Sequence, residues 1–170
     1  MGHSFESSAL RPIEPLPLHH SWPLDLLHEH LSPVMLNPSL ARNDVALAER
    51  GLGLWHCDLA DDRLSWTAGV YDIFGFERGT PVPRPLSVSR YSVDSREAME
   101  RLRAYAIKHR RGFTLDIDIH PVDGGQCAVR LIAAPILHGD RVIGLHGVKQ
   151  LLPVGAPASR RLDPTIFVML

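Results

Sequence analysis

The feature that most constrains the fold of this 170-residue chain is a run of three segments separated by glycine-containing turns. In the first segment, residues 113–120, apolar and polar residues alternate, which is typical of a half-buried strand. Turns at residues 123–125 and 138–140 lead into two further strand-like segments, residues 126–137 and 141–151. The pattern therefore predicts an antiparallel three-stranded meander.

A second strand-rich region lies before the meander. Residues 53–59 alternate in strand fashion, and residues 63–66 follow a short turn as the returning strand of a hairpin. Hairpin and meander together give five antiparallel strands in one sheet, with helices inserted between the second and third strands. This order is that of an α+β fold in which the helices cover one face of the sheet.

The inserted helices have recognisable ends. Thr67 can cap a short helix that Gly75 closes, and residues 95–111 have the pattern of a long helix that begins after Asp94. Between them, residues 77–89 contain three prolines and are expected to form mostly loop.

Proline density and periodicity divide the chain into three parts. Residues 1–38 are a proline-rich N-terminal extension, in which residues 22–31 have the spacing of a short amphipathic helix. Residues 39–152 form the predicted domain, which begins with a helix over residues 39–50, and residues 153–170 are a C-terminal tail.

Composition argues against two classes of protein. Lysine and arginine total 18 against 19 aspartate and glutamate, a formal net charge of −1. Proteins that bind nucleic acid through bulk charge, or that bind membrane surfaces, are normally strongly basic. The apolar runs are too short to cross a bilayer and no secretory signal is visible, so we predict a cytoplasmic protein without membrane insertion. Cys57 and Cys127 are expected to be ordinary buried thiols.

Neither an enzyme nor a metal site is predicted. The chain has no P-loop, kinase, serine-hydrolase or zinc-protease signature. Two groups of residues could gather a metal ion, but solvated side chains are the preferred interpretation of both. They are the N-terminal histidines and the polar face of the first meander strand: His19, His20, His28, His30, and Asp116, Asp118, His120.

Three short motifs, in this order, resemble those of the PAS (Per-ARNT-Sim) domain of bacterial sensor proteins. They have the forms Gly-x-Trp-x-x-Asp-Leu, Arg-Leu-x-Trp-Ser/Thr and Tyr-x-Ile-Phe-Gly. A charged helix, an Asp-Gly turn and a closing hairpin follow, as in that family. The resemblance covers about residues 41–151 and rests on Gly53, Trp55, Asp58, Leu59, then Arg63, Leu64, Trp66, Thr67, then Tyr71, Ile73, Phe74, Gly75, and on Asp123, Gly124 and Gly144–Gly147.

The resemblance implies a cavity between sheet and helices that can hold a small molecule. A flavin adduct is not expected, because no cysteine lies between residues 58 and 126, and His109 is the only candidate haem ligand on the long helix. The sequence therefore predicts no bound cofactor. If a small organic ligand binds, the residues expected to line its cavity are Trp66, Tyr71, Phe74, Tyr91, Leu102, Ile117, Val129 and Leu131.

The resemblance also implies a role in signal transduction. Helices that precede the core of PAS proteins commonly pair between subunits, which predicts a homodimer. We expect a non-catalytic adaptor that regulates a histidine kinase, as in two-component systems, or another signalling partner by protein contact. The alternative is a sensor whose cavity ligand, a metabolite rather than haem or flavin, switches those contacts. The dimer interface is expected to use Leu24, Leu27, Leu31, Leu40, Val45 and Leu47.

Overall fold

The computed structural model describes residues 20–31 and 44–154. In chain order, the helices and strands of these residues are β1 (Ser21–Pro23), a 3₁₀ turn (Leu24–Leu26), α1 (Leu27–His30), α2 (Asp44–Glu49), β2 (Leu52–Asp58), β3 (Arg63–Trp66), α3 (Ala68–Phe74), α4 (Arg84–Ser89), α5 (Val93–His109), β4 (Arg111–Ile119), β5 (Cys127–His138) and β6 (Arg141–Leu151).

All paired strands of the sheet run antiparallel, in the order β1-β4-β5-β6-β2-β3. This confirms the predicted α+β class, with helices between β3 and β4. The sheet has six strands rather than the predicted five. The additional strand, β1, pairs along the edge of β4, with Trp22 opposite Gly112.

The segment that contains β1 was expected to form a single amphipathic helix, and this is wrong. The chain is instead extended through Pro23, turns through one 3₁₀ turn, and ends in the single turn of α1. Pro23 has φ −72° and ψ 150°, an extended conformation that its ring favours. Its nitrogen carries no hydrogen to donate, which is tolerated at the edge of a sheet. We call residues 20–31 the N-terminal strap.

The helix boundaries also differ from those expected. Residues 84–89 form α4 although three prolines precede or open it, because proline is compatible with the first turn of a helix. The long helix α5 is capped by Ser92, whose side chain accepts a hydrogen bond from the Ser95 amide, rather than by Asp94. It ends at Arg110, whose φ is 57°, and His109 in its last turn is exposed.

The main apolar core lies between the sheet and helices α3 and α5. Burial of each large apolar side chain there contributes about 1.5–3 kcal/mol to folding. Close contact between α3 and β2 requires Gly53, because a Cβ on it would lie 2.4 Å from the amide nitrogen of Val70. The core residues are Val70, Ile73, Phe74, Tyr91, Met99, Leu102, Ala106, Phe113, Leu115, Ile117, Ile119, Val129, Leu131 and Ala133.

The opposite face of the sheet is covered by the N-terminal strap. Trp22 and Leu31 of the strap are buried against Ala134 of β5 and Val148 of β6. The strap also satisfies polar groups of β4. The Trp22 Nε1–H donates to Thr114 Oγ1 at 3.1 Å, and His20 Nδ1 lies 3.0 Å from the carbonyl oxygen of Thr114. Both faces of the sheet are therefore covered.

The interpretation of the polar face of β4 as solvated is wrong for Asp116, whereas Asp118 is half-buried and His120 is exposed as expected. Asp116 is buried, and its carboxylate forms two hydrogen bonds, of 2.8 and 3.1 Å, with the guanidinium of Arg130. Arg130 lies directly opposite Asp116 in the β4–β5 register. Strand β1 pairs only with Arg111–Phe113, so the buried Asp116 carboxylate is satisfied by its neighbour across β4 and β5 rather than by β1.

The strap depends on Gly112 in β4. A Cβ at this position would lie 2.2 Å from the nearest atom of the Trp22 ring. We expect Gly112→Ala to displace the ring and to lower the free energy of unfolding by about 1–3 kcal/mol, as overpacking does. In a Trp22→Leu background the same substitution should cost much less, because the clashing ring atoms are gone. Urea unfolding of the four proteins measures this. An equal cost of Gly112→Ala in both backgrounds would contradict the proposed contact.

Candidate functional site

A small cavity lies between the inner face of the sheet and helices α4 and α5. Its volume is about 50 Å³. Strands β2, β3 and β6 contribute most of one wall, and the two helices contribute the other. The cavity is lined by Trp55, Cys57, Leu64, Trp66, Arg84, Ser87, Val88, Tyr91, Met99, Arg103, Phe113, Leu131, Leu145 and Lys149.

The most unusual lining residue is Lys149 of β6. In the register of the sheet it lies between Gly53 of β2 and Leu131 of β5, on the same face as Leu145. Only 5% of its surface is exposed. Its Nζ lies 4.7 Å from the centroid of the Trp55 ring, a cation–π distance. The alternation of β6 therefore directs an ammonium group into the apolar interior.

The Lys149 ammonium has no anionic partner in the part of the chain that the structure describes. Among residues 20–31 and 44–154, no carboxylate forms an ion pair with it. Burial, which removes hydration from the charged form, is the main cause that lowers the pKa of Lys149 to about 7; Cys57 opposes this shift and the positive charge of Arg84 adds to it. An isolated buried charge of this kind is costly and is rarely found without a partner.

The two arginines of the cavity differ from Lys149 because each has an acidic partner. Arg84 of α4 bonds to Glu100, and Arg103 of α5 lies 2.9 Å from Asp62. The charges of both guanidinium groups are thus balanced within the protein. Lys149 is the one lining cation whose charge the described residues leave uncompensated.

The other polar groups of the cavity are mainly donors or neutral. Trp55 Nε1–H is buried and has no acceptor among the described residues. Burial raises the pKa of the Cys57 thiol, so this group stays protonated and is a weak nucleophile. Burial likewise raises the pKa of the Tyr91 hydroxyl above its usual range. The arrangement suits binding of an electron-rich ligand better than nucleophilic catalysis.

The structure brings three of the eight expected cavity residues to this site. Trp66, Tyr91 and Leu131 line the cavity. Phe74 stacks on Trp66 with ring centroids 4.9 Å apart, and Tyr71 donates its hydroxyl to the carbonyl of Thr80. These two, with three core residues, do not line the cavity: Leu102, Ile117 and Val129.

Sequence reasoning did not identify Lys149, Trp55 or the arginines as cavity residues. The signal for Lys149 was present in β6, where positions 145, 147 and 149 share one face and Leu145 marks that face as buried. Lysine is rarely buried, so its residue type alone predicts a surface position. Only the alternation of inward- and outward-facing residues along β6 indicates that Lys149 is buried.

The expected dimer residues lie in two places, and Leu40 lies outside the described residues. Leu31 is buried, and Leu24 and Leu27 pack against the outer face of the chain's own sheet. In α2, Leu47 is half-buried, whereas Val45 is 51% exposed. Among the predicted interface residues that the structure describes, Val45 is therefore the most accessible.

Of the N-terminal histidines that the structure describes, His20 and His30 pack within the fold and His28 is exposed; His19 lies outside the described residues. The prediction of a solvated side chain is therefore wrong for His20. The His30 ring stacks on Trp22 with centroids 4.2 Å apart, and His20 is buried beside Thr114. Within the described ranges, no group of three histidine, cysteine, aspartate or glutamate side chains is placed to hold a metal ion. None of the helices described here is long and apolar enough to span a membrane.

Comparison with known proteins shows the fold. No family model and no curated protein matches the sequence. Among solved structures, a sensory box histidine kinase/response regulator from Burkholderia thailandensis is 13% identical, with a TM-score of 0.55 over 75% of this chain and 93% of that one. The PAS domain of a Colwellia psychrerythraea protein is 16% identical, with a TM-score of 0.53 over 67% of this chain and 97% of that one.

A third structure, an RNA-binding light-oxygen-voltage receptor, is 13% identical, with a TM-score of 0.54. The alignment covers 64% of this chain but only 32% of the receptor. The chain therefore has a PAS fold, which confirms the resemblance inferred from the motifs.

Lys149 should give the protein a measurable pH dependence. An unfolded lysine keeps its proton up to about pH 10.4, whereas folded Lys149 loses it near pH 7. Between these values the unfolded state binds more protons, so the free energy of unfolding rises with pH, by up to about 1.4 kcal/mol per pH unit. Lys149→Met should remove this rise and stabilise the protein at pH 7 by about 1–4 kcal/mol.

The measurement is urea unfolding of both proteins from pH 7 to 9. Cys57, Cys127 and Tyr91 have raised pKa values and contribute with the opposite sign, so the difference between wild type and variant isolates Lys149. Lys108→Met, at the exposed end of α5, is the matched control and should leave the slope unchanged. Equal slopes in wild type and Lys149→Met would show that Lys149 is not desolvated.

Proposed function

We propose that this chain is a non-catalytic sensor module of the PAS type, in which a small molecule in the Lys149 cavity changes contacts with a signalling partner. The observation that carries the proposal is the buried, unpaired ammonium of Lys149. A protein that acted only as a scaffold would gain stability from an apolar residue at this position. A cation kept there at a cost is explained if a ligand compensates its charge.

Strand β6 offers a route from the cavity to the surface. Lys149 faces the cavity, whereas the adjacent Val148 is buried on the other face of the sheet with Trp22 and Leu31 of the strap. A shift of β6 on ligand binding would therefore change the packing of the strap against Val148. On this proposal, the strap and neighbouring helices are the output surface.

The proposed partner is a signalling protein such as a histidine kinase. The Burkholderia relative in fold is a kinase of this type, which supports the proposal by analogy. Homodimer formation through exposed residues such as Val45, and a cytoplasmic location, belong to the same proposal. The adaptor function expected first, by contact alone, becomes the preferred one if the cavity binds nothing.

Filling the cavity tests the sensor function. Val88 of α4 lines the cavity, whereas Leu86 of the same helix is 43% exposed. Native mass spectrometry of the untreated wild-type protein should show extra mass that is lost on denaturation. Val88→Phe should remove that mass, because the larger ring occupies the cavity, and Leu86→Phe should retain it.

The same spectra report the oligomeric state. The adaptor function would be favoured if the wild-type protein carries no extra mass and forms a dimer that Val88→Phe does not alter. Extra mass retained equally by Val88→Phe and Leu86→Phe would place the ligand elsewhere on the protein.

A further inference from the structure

The charges that line the cavity are all of one sign. Lys149, Arg84 and Arg103 contribute three cations, and no aspartate or glutamate is among the lining residues. The acidic partners of the two arginines, Glu100 and Asp62, lie outside the lining. Because these partners balance both arginines, the charge left for a ligand to balance is that of protonated Lys149, and a neutral or cationic ligand would leave it unbalanced.

We propose that the ligand of this cavity is a short-chain carboxylate, whose carboxylate group binds Lys149 Nζ and whose alkyl chain lies against the apolar wall. This inference rests on the proposed sensor function and assigns the chemical class of its ligand.

The charge balance specifies a single negative charge. Both arginines already share their charge with a carboxylate of the protein, so Lys149 alone requires a counter-charge. The unpartnered Trp55 Nε1–H is a further donor among the lining residues. A carboxylate has two oxygens and can accept a hydrogen bond from each of these two donors.

The size and polarity of the cavity specify a short aliphatic chain. Its roughly 50 Å³ is far below the volume of about 300–1,000 Å³ that drug-sized ligands need, so the cavity admits only a few non-hydrogen atoms. Around Lys149, the remaining wall is largely apolar, with Leu64, Val88, Met99 and Leu145. This wall favours a ligand with an apolar end as well as a charged one.

Binding of a carboxylate should be coupled to protonation of Lys149. The anion stabilises the ammonium form, so bound carboxylate raises the pKa of Lys149 and binding weakens as the pH rises above 7. The other titratable or charged groups of the lining are Cys57 of β2, Arg84 of α4, Tyr91, and Arg103 of α5. Of these, Cys57 and Tyr91 have raised pKa values and stay neutral near pH 7.

The experiment titrates the full chain with sodium acetate, propionate and butyrate at pH 6.5 and constant ionic strength, followed by NMR chemical shifts. Butyramide, the neutral analogue of butyrate, and sodium chloride are the comparison probes. We expect butyrate to bind more tightly than butyramide or chloride. Lys149→Met should weaken butyrate binding about ten- to a hundredfold, because a charge-assisted hydrogen bond is lost.

Two further variants separate this effect from a general loss of structure. Trp55→Phe keeps the aromatic ring over Lys149 but removes the Nε1–H, and should weaken butyrate binding about three- to tenfold. Lys108→Met should leave binding unchanged. Butyrate affinity should also fall about tenfold for each pH unit above the pKa of Lys149.

Three results would overturn the inference. Butyramide bound as tightly as butyrate would show that charge does not select the ligand. Chloride bound as tightly as butyrate would assign a simple anion site. Butyrate binding unaffected by Lys149→Met and Trp55→Phe would place the carboxylate elsewhere.

The outcome also distinguishes this inference from the sensor function. If butyramide binds and Val88→Phe abolishes this binding, the cavity still binds a ligand and only the carboxylate class is rejected. No binding of any probe, together with no retained mass in native spectra, would reject both.

Discussion

The structure depends on covering both faces of one antiparallel sheet. Helices α3 and α5 cover the inner face, and the N-terminal strap covers the outer face through Trp22 and Leu31. Because the central parts of β4, β5 and β6 are largely covered from both sides, many of their side chains are buried, including the polar Thr114, Asp116 and Lys149. Polar residues in these strands must then find a partner inside the protein or remain unpaired.

Two charged residues in these strands show the two solutions. Asp116 of β4 faces the strap side and pairs with Arg130 across the strand, so its charge is satisfied within the fold. Lys149 of β6 faces the helices, and its Nζ lies 4.7 Å from the centroid of the Trp55 ring and 5.8 Å from that of Phe74. The first arrangement is complete without a ligand. The second leaves a positive charge without a counter-charge in a small cavity. For this reason the cavity, rather than the outer face of the sheet, is the candidate binding site.

Much of the fold could be predicted because its signals are local. Alternation and glycine turns fix β3 at Arg63–Trp66 and β6 at Arg141–Leu151, the bounds expected from the sequence. Strand β1 was missed because its evidence is a pairing with β4 about 90 residues away, which no local pattern encodes. The aromatic side of the cavity was predicted in part. Lys149 was missed because its burial depends on the phase of β6 and on how the helices cover it.

The most direct test of this account is the titration of Lys149 itself. Lys108 and Lys149 are the chain's two lysines, so ¹³C-labelled lysine gives two side-chain signals, which Lys108→Met assigns. The account predicts that the Lys149 signal titrates with a midpoint of about 7. A midpoint near the ordinary lysine value of about 10.4 would show a hydrated or paired ammonium and would contradict the central claim.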